Sequence, residues 1–193
     1  GPSLNIASTP AAVEGALTTA QIAEKVKPGI VGIVVYTNNS GSTAGEGTGV
    51  IMGENDSHTE TYVVTCAHVI SDAGIKVKVQ TEDGTTYDAE IVGFDSRTDL
   101  GVVKIKATGL PAAEFGNSEN RRVGDSVFAI GNPGGVEFFG SFTGGYVSAI
   151  DRPVSSDMMR VVTRPWRTTF LVSSCCPAPM QWATCTEKPA DRA

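Results

Sequence analysis

The chain has 193 residues, 40% of them apolar and 19% charged, with a formal net charge of -6 and an isoelectric point near 4.9. That balance fits one large or two small globular domains with a real core, and it excludes wholesale disorder. Nucleic acid is excluded as a partner because phosphate binding shows itself as clustered Lys and Arg, and a membrane span is excluded because no run reaches roughly 18 consecutive apolar residues.

Residues 1–16, inside "GPSLNIASTPAAVEGALTTA", lack the basic and apolar regions of a signal peptide and read as a linker or tag remnant. The next stretch, "LTTAQIAEKVKPG", predicts a short helix: Thr18 or Thr19 serves as N-cap, Ile22 and Val26 share a face, and Pro28-Gly29 stops it. From about residue 27 to 150 the text changes to short β-branched runs separated by Gly, Asn and Asp: "GIVGIVVY", "GTGVIM", "TYVVTCAHVI", "IKVKVQ", "YDAEIVGFD", "LGVVKIK", "DSVFAIG" and "GSFTGGYVSAI". Turn signals about every 8 to 12 residues predict an all-β barrel or sandwich. Alternation in "IKVKVQ" sets Ile75, Val77 and Val79 on one face and Lys76, Lys78 and Gln80 on the other.

Two Gly-rich pieces resemble nucleotide loops and fail as such. "GEGTGV" runs into more strand signal instead of a helix and is expected to be a turn. "GNPGG" lacks the Lys-Ser/Thr of a P-loop. All 22 glycines precede residue 146, whereas both tryptophans and three of the four cysteines follow residue 160. Beyond residue 160 only a strand at 168–173 is expected. The cysteines show neither a disulfide framework nor CxxC metal spacing.

Only two histidines exist. His58, in "GENDSHTETY", reads as an exposed loop residue. His68 stands behind the apolar run "YVVTCAHVI", flanked by the small Cys66 and Ala67. Such a histidine can be a buried side chain satisfied by a backbone carbonyl. It can also be a base, and "FDSRTDLGVVKI" supplies a partner in Asp99, placed after a turn and before an apolar strand, where a barrel interior could hold its carboxylate. A carboxylate on one imidazole nitrogen fixes the tautomer, leaves the other nitrogen as base, and stabilises the imidazolium. The competing use of Asp99 is to cap its own turn, the role expected of Asp95.

"YVVTCAHVI" and "DSRTDLGVVKI" resemble the histidine and aspartate motifs of the trypsin-like serine proteases of the HtrA/Deg family. "LTTAQIAEKVKPGIVGI", "GEGTGVIM", "EFGNSENRRVGDSVFAIGNPGG" and "GSFTGGYVSAIDR" follow the same family in order, so the likeness covers roughly residues 17–162. It implies an all-β, trypsin-like double barrel with a short N-terminal helix. The first barrel would take in about residues 27–110 and a partial second barrel about 111–162, with residues 163–193 an atypical tail. It also implies a catalytic His68 and Asp99 facing a cleft, and a serine from the second barrel.

The family's "GNSGG" nucleophile loop is missing. Counting forward to its register from Met159 lands on Ser173, in "FLVSSCCP". Leu171, Val172, Ser174 and Cys175 are poor replacements for glycines that must turn backbone N–H groups toward an oxyanion. A thiolate at Cys175 or Cys176 is the chemical alternative, out of register by two or three positions.

The implied activity is serine endopeptidase action on unfolded or damaged polypeptides, outside the cytoplasm, in a homo-oligomer of trimer type, with no cofactor or metal. Impairment by the missing loop is part of this reading, and a non-catalytic scaffold, binding module or truncated product is the alternative. A foreign reading frame over residues 163–193 would account for the composition change, and the family's PDZ module has no room in this chain. An incomplete second barrel would leave the apolar faces of "DSVFAIG" and "GGYVSAI" uncovered and a sheet edge open.

Overall fold

The computed structural model describes residues 17–38, 42–115 and 122–150, and the backbone of residues 170–173 and 183–185. Helix α1 (Thr19–Val26) starts where its cap dictates: the Thr18 hydroxyl accepts from the Gln21 N–H while the Gln21 side chain accepts from the Thr18 N–H, a reciprocal capping box. A 3-10 turn over Lys27–Gly29, with proline in its first positions, leads the chain into the first strand.

Six strands follow: β1 (Ile30–Thr37), β2 (Thr43–Glu54), β3 (Thr61–Cys66), β4 (Ile75–Gln80), β5 (Thr86–Asp95) and β6 (Leu100–Ile105). They close into an antiparallel barrel in the order β1-β2-β3-β6-β5-β4. Closure leaves none of the six with an unpaired edge. The interior is a single apolar cluster that includes Val31, Ile33, Ile51, Val63, Val79, Val103 and Ile105, each worth roughly 1.5–3 kcal/mol when fully buried. Val77 and Val79 point into it, as the alternation in β4 requires, and Ile75 packs on its border.

The expected turn at "GEGTGV" is instead the middle of β2, with Gly47 opposite Ile33 and Gly49 opposite Val31. Packing, not turning, explains Gly47 and Gly49. A Cβ at Gly49 would lie 2.6 Å from Val63 Cγ1 and 2.9 Å from both Ile33 Cδ1 and Val31 Cγ2, so three core side chains occupy the space. Gly49→Ala should therefore destabilise the fold by roughly 1–3 kcal/mol through overpacking. A thermal melt would show it as a loss of about 2–4 °C per kcal/mol; an unchanged melt would mean that the core gives way at no cost.

Strands β7 (Ser126–Gly131) and β8 (Ser141–Tyr146) form a hairpin-like antiparallel pair, extended by β9 (Phe170–Ser173) and β10 (Ala183–Cys185) into a four-stranded sheet of order β10-β9-β7-β8. β9 matches the strand expected at 168–173. It pairs with β7 in parallel, Ile130 opposite Val172 and Gly131 opposite Ser173. Among the described residues this sheet does not close, so the second half of the fold is a partial sheet beside a complete barrel.

The two halves are pinned together through the "GNPGG" segment. Asn132, wholly buried, donates its backbone N–H to Thr48 Oγ1 (2.9 Å) and its amide Nδ2 to the Val31 carbonyl (3.0 Å), and its Oδ1 accepts from the Gly140 N–H (2.9 Å). A few residues on, the Val136 N–H donates to Glu46 Oε2 of β2 (2.7 Å).

Candidate active site

β3 and β6 are hydrogen-bonded neighbours, with Cys66 opposite Leu100. The residues just beyond β3 and just before β6 must therefore be neighbours too, and the Ala67 N–H donates to the Asp99 carbonyl at 3.0 Å. After Cys66 the chain does not continue as strand, as the apolar run suggested, but coils into a single helical turn, α2 (Ala67–Ile70). Its anchors are Ala67 and Ile70, both buried, and Gly101 makes room: a Cβ there would come within 2.7 Å of Ile70 Cδ1. His68 lies on this turn, two residues from the barrel wall.

Asp99 is reached through a turn built by Asp95, whose carboxylate accepts from the Arg97 N–H (3.0 Å) and the Thr98 hydroxyl (2.8 Å), the local capping role expected of it. Asp99 itself does something else. Its backbone takes a left-handed φ of 56°, a conformation that Asp tolerates better than most residues. The carboxylate then reaches across to α2, where Oδ1 accepts from the His68 backbone N–H (2.9 Å) and Oδ1 and Oδ2 stand 3.0 and 2.8 Å from His68 Nδ1. One carboxylate thus caps the helical turn and grips the imidazole on it. It faces the barrel's mouth and not its interior, and its side chain is 15% exposed against 36% for His68.

A carboxylate only accepts, so Nδ1 carries the proton and Nε2 is the basic nitrogen. The Asp99 hydrogen bond holds the His68 pKa above its ordinary value, against partial burial, which pulls it down; the Asp99 charge adds to the rise. An NMR titration of the His68 ring should give a midpoint above 6.5. Because the folded-state value is raised, protonated His68 favours the native state: this stabilisation is complete below about pH 6.5 and is lost as pH climbs through the folded-state pKa. A midpoint at or below 6.5 would contradict the pairing.

The sequence profile of the trypsin-like peptidase domain matches residues 47–181, a span that contains His68, Asp99 and most of the second sheet. The chain belongs to the trypsin-like peptidase family. Among its relatives are HtrA-type proteases. A probable periplasmic serine endoprotease, DegP-like, of Chlamydia trachomatis is 47% identical over 106 residues, covering 55% of this chain and 20% of the relative. The serine protease Do-like HtrB of Bacillus subtilis is 35% identical over 161 residues, covering 77% of this chain and 35% of the relative. Serine protease HTRA1 of Xenopus tropicalis is 35% identical over 138 residues, covering 69% and 28%. The chain thus spans about a fifth to a third of the length of the curated relatives it matches.

Of the three residues expected to act together in this trypsin-like peptidase, His68 and Asp99 are joined by direct hydrogen bonds. Ser173 is placed by its backbone alone, as the last residue of β9 opposite Gly131, next to the Asn132 pin. Cys175 and Cys176 lie outside the described residues. His58 is a surface residue, 78% exposed, with its Nδ1 2.7 Å from Glu54 Oε2. Cys66 gained no role from the sequence beyond close packing. The structure sets its sulfur within 4.8 Å of ligating atoms of both His68 and Asp99. The only trace of this in the sequence is the Cys-x-His spacing, which is meaningless without the β3–β6 register.

Proposed function

We propose that the chain is the peptidase portion of an HtrA-type serine endopeptidase, with His68 as general base and acid, Asp99 as its orienting partner, and Ser173 as nucleophile. In this scheme Nε2 of His68 takes the serine proton as Oγ attacks the scissile carbonyl. Asp99 stabilises the resulting imidazolium, which then protonates the departing amine; water repeats the sequence in reverse to release the acyl group. The observation that supports the reading most is the Asp99 carboxylate, with both oxygens within 3.0 Å of Nδ1. The domain reading is residues 1–16 as linker, 17–162 as the recognisable part of the peptidase domain and 163–193 as an atypical tail, from which β9 and β10 extend the second sheet. Relatives named as probable periplasmic serine endoproteases support an extracytoplasmic site of action; unfolded polypeptides as substrate and a trimer are proposed from the family resemblance alone. Among the described residues no helix is long and apolar enough to cross a membrane.

A second reading, a protease fold without turnover, is favoured by the setting of Ser173. It ends a strand paired to β7, and no glycine stands anywhere in residues 171–176 to aim N–H groups at an oxyanion. A fluorophosphonate probe with casein as substrate separates the two. Labelling and cleavage that vanish in both Ser173→Ala and His68→Ala support the endopeptidase; a correctly folded chain that neither labels nor cleaves is the scaffold.

A further inference from the structure

Cys66 ends β3 with 6% of its surface exposed, and acyl transfer has no use for its thiol. It is opposite Leu100, the neighbour of Asp99, and two residues before His68. This register gathers a sulfur, an imidazole nitrogen and a carboxylate oxygen within 4.8 Å of one another. A tetrahedral zinc ion, with Zn–S about 2.3 Å and Zn–N or Zn–O about 2.0–2.2 Å, keeps its ligand atoms roughly 3.3–3.8 Å apart, so a pair at the 4.8 Å limit need close by only about 1 Å or so, while the Nδ1–carboxylate pair, now 2.8–3.0 Å apart, opens by about 0.5 Å. A thiolate beside an imidazole and a carboxylate suits zinc and not calcium or magnesium, which prefer oxygen alone.

We propose that Cys66, His68 and Asp99 form a three-ligand Zn2+ site at the mouth of the barrel, its fourth position open to water. Two features pre-shape it. The β3–β6 ladder and the Ala67–Asp99 backbone bond fix the spacing of the three residues, and His68, about a third exposed, gives the ion a way in. On binding, the thiol proton passes to solvent and the ring proton moves from Nδ1 to Nε2, so that His68 ligates as a neutral imidazole. A thiolate and a carboxylate then balance the two positive charges of the ion, which a half-buried site demands. The site stands on this juxtaposition and does not depend on the peptidase reading. Its consequence for that reading is that zinc and the acid–base pair exclude each other.

The test uses the full chain with Cys175, Cys176 and Cys185 changed to Ser, which leaves Cys66 as the sole thiol. Zn2+ is titrated in competition with a chromophoric chelator, and Co2+ serves as a spectroscopic substitute. One equivalent of Zn2+ is expected, with a thiolate-to-cobalt absorption in the near ultraviolet. Cys66→Ala in the same background should abolish that absorption and weaken Zn2+ binding by at least roughly 100-fold. His68→Ala, on the more exposed side, should weaken it similarly with an unchanged circular dichroism spectrum, which covers the case of a misfolded Cys66 variant. Binding that survives both substitutions, or the absence of one-equivalent binding up to about 100 µM zinc, overturns the proposal. Turnover is not needed for any of these readings. A chain that cleaves casein should in addition be inhibited by zinc and restored by chelator, so loss of cleavage and loss of binding are told apart.

Discussion

Asp99→Asn is expected to lower the rate of peptide-bond cleavage by about 10⁴-fold while leaving the fold nearly intact. The asparagine Oδ1 can still accept from the His68 backbone N–H, the bond that is 2.9 Å long in the native chain. Asparagine also tolerates the left-handed φ of 56° held at this position. What changes is the face shown to the imidazole. Two acceptor oxygens at 3.0 and 2.8 Å are replaced by one oxygen and one NH2 donor. Where the donor meets Nδ1, that nitrogen must accept, the ring proton moves to Nε2, and the nitrogen that should take the serine proton already carries one. The His68 midpoint should fall toward 6.5 in the same variant, because the first cause of its rise has gone. Asp99→Ala adds a loss of stability, since it removes the cap on α2 and puts alanine in a strained backbone region. Full activity in Asp99→Asn would sink the triad reading. A fallen His68 midpoint in an inactive parent would leave the pairing intact and remove only the nucleophile.

Asn132→Ala is expected to cost about 2–4 kcal/mol, a large part of the roughly 5–15 kcal/mol that holds most domains folded. The substitution deletes the donor to the Val31 carbonyl and the acceptor for the Gly140 N–H, both in a fully buried place. It strands the Gly140 donor without water and leaves a small cavity between barrel and second sheet. Asp in its place would recover the Gly140 bond, lose the Val31 bond and bury a charge, so it should be no better. Urea unfolding should show a lower midpoint with an unchanged slope. A loss below about 1 kcal/mol would mean that the segment relaxes onto other partners.

Legibility followed the range of the interactions. The α1 cap, the inward face of β4 and the turn built by Asp95 are set by residues within four positions of one another, and all three could be read directly. His68 and Asp99 were suggested by residue type and by likeness to a family, but their meeting depends on pairing across 31 positions of sequence. Where sequence reasoning misled, long-range packing had overridden a local preference. "GEGTGV" carries turn residues yet lies in β2 because Val31, Ile33 and Val63 fill the space that side chains would take. "AHVI" carries strand residues yet coils because Ile70 has a slot above Gly101 and Asp99 supplies a cap from the turn before β6. Cys66 stayed unread because its neighbours of interest lie on α2 and beside β6, and only the ladder unites them.

The imidazole and its carboxylate hang from adjacent staves of a ring that is already shut by residue 105. Their meeting therefore draws on one half of the molecule alone. Descent with change can rewrite the other half, losing or regaining an attacking hydroxyl there, while the proton-handling half passes on untouched.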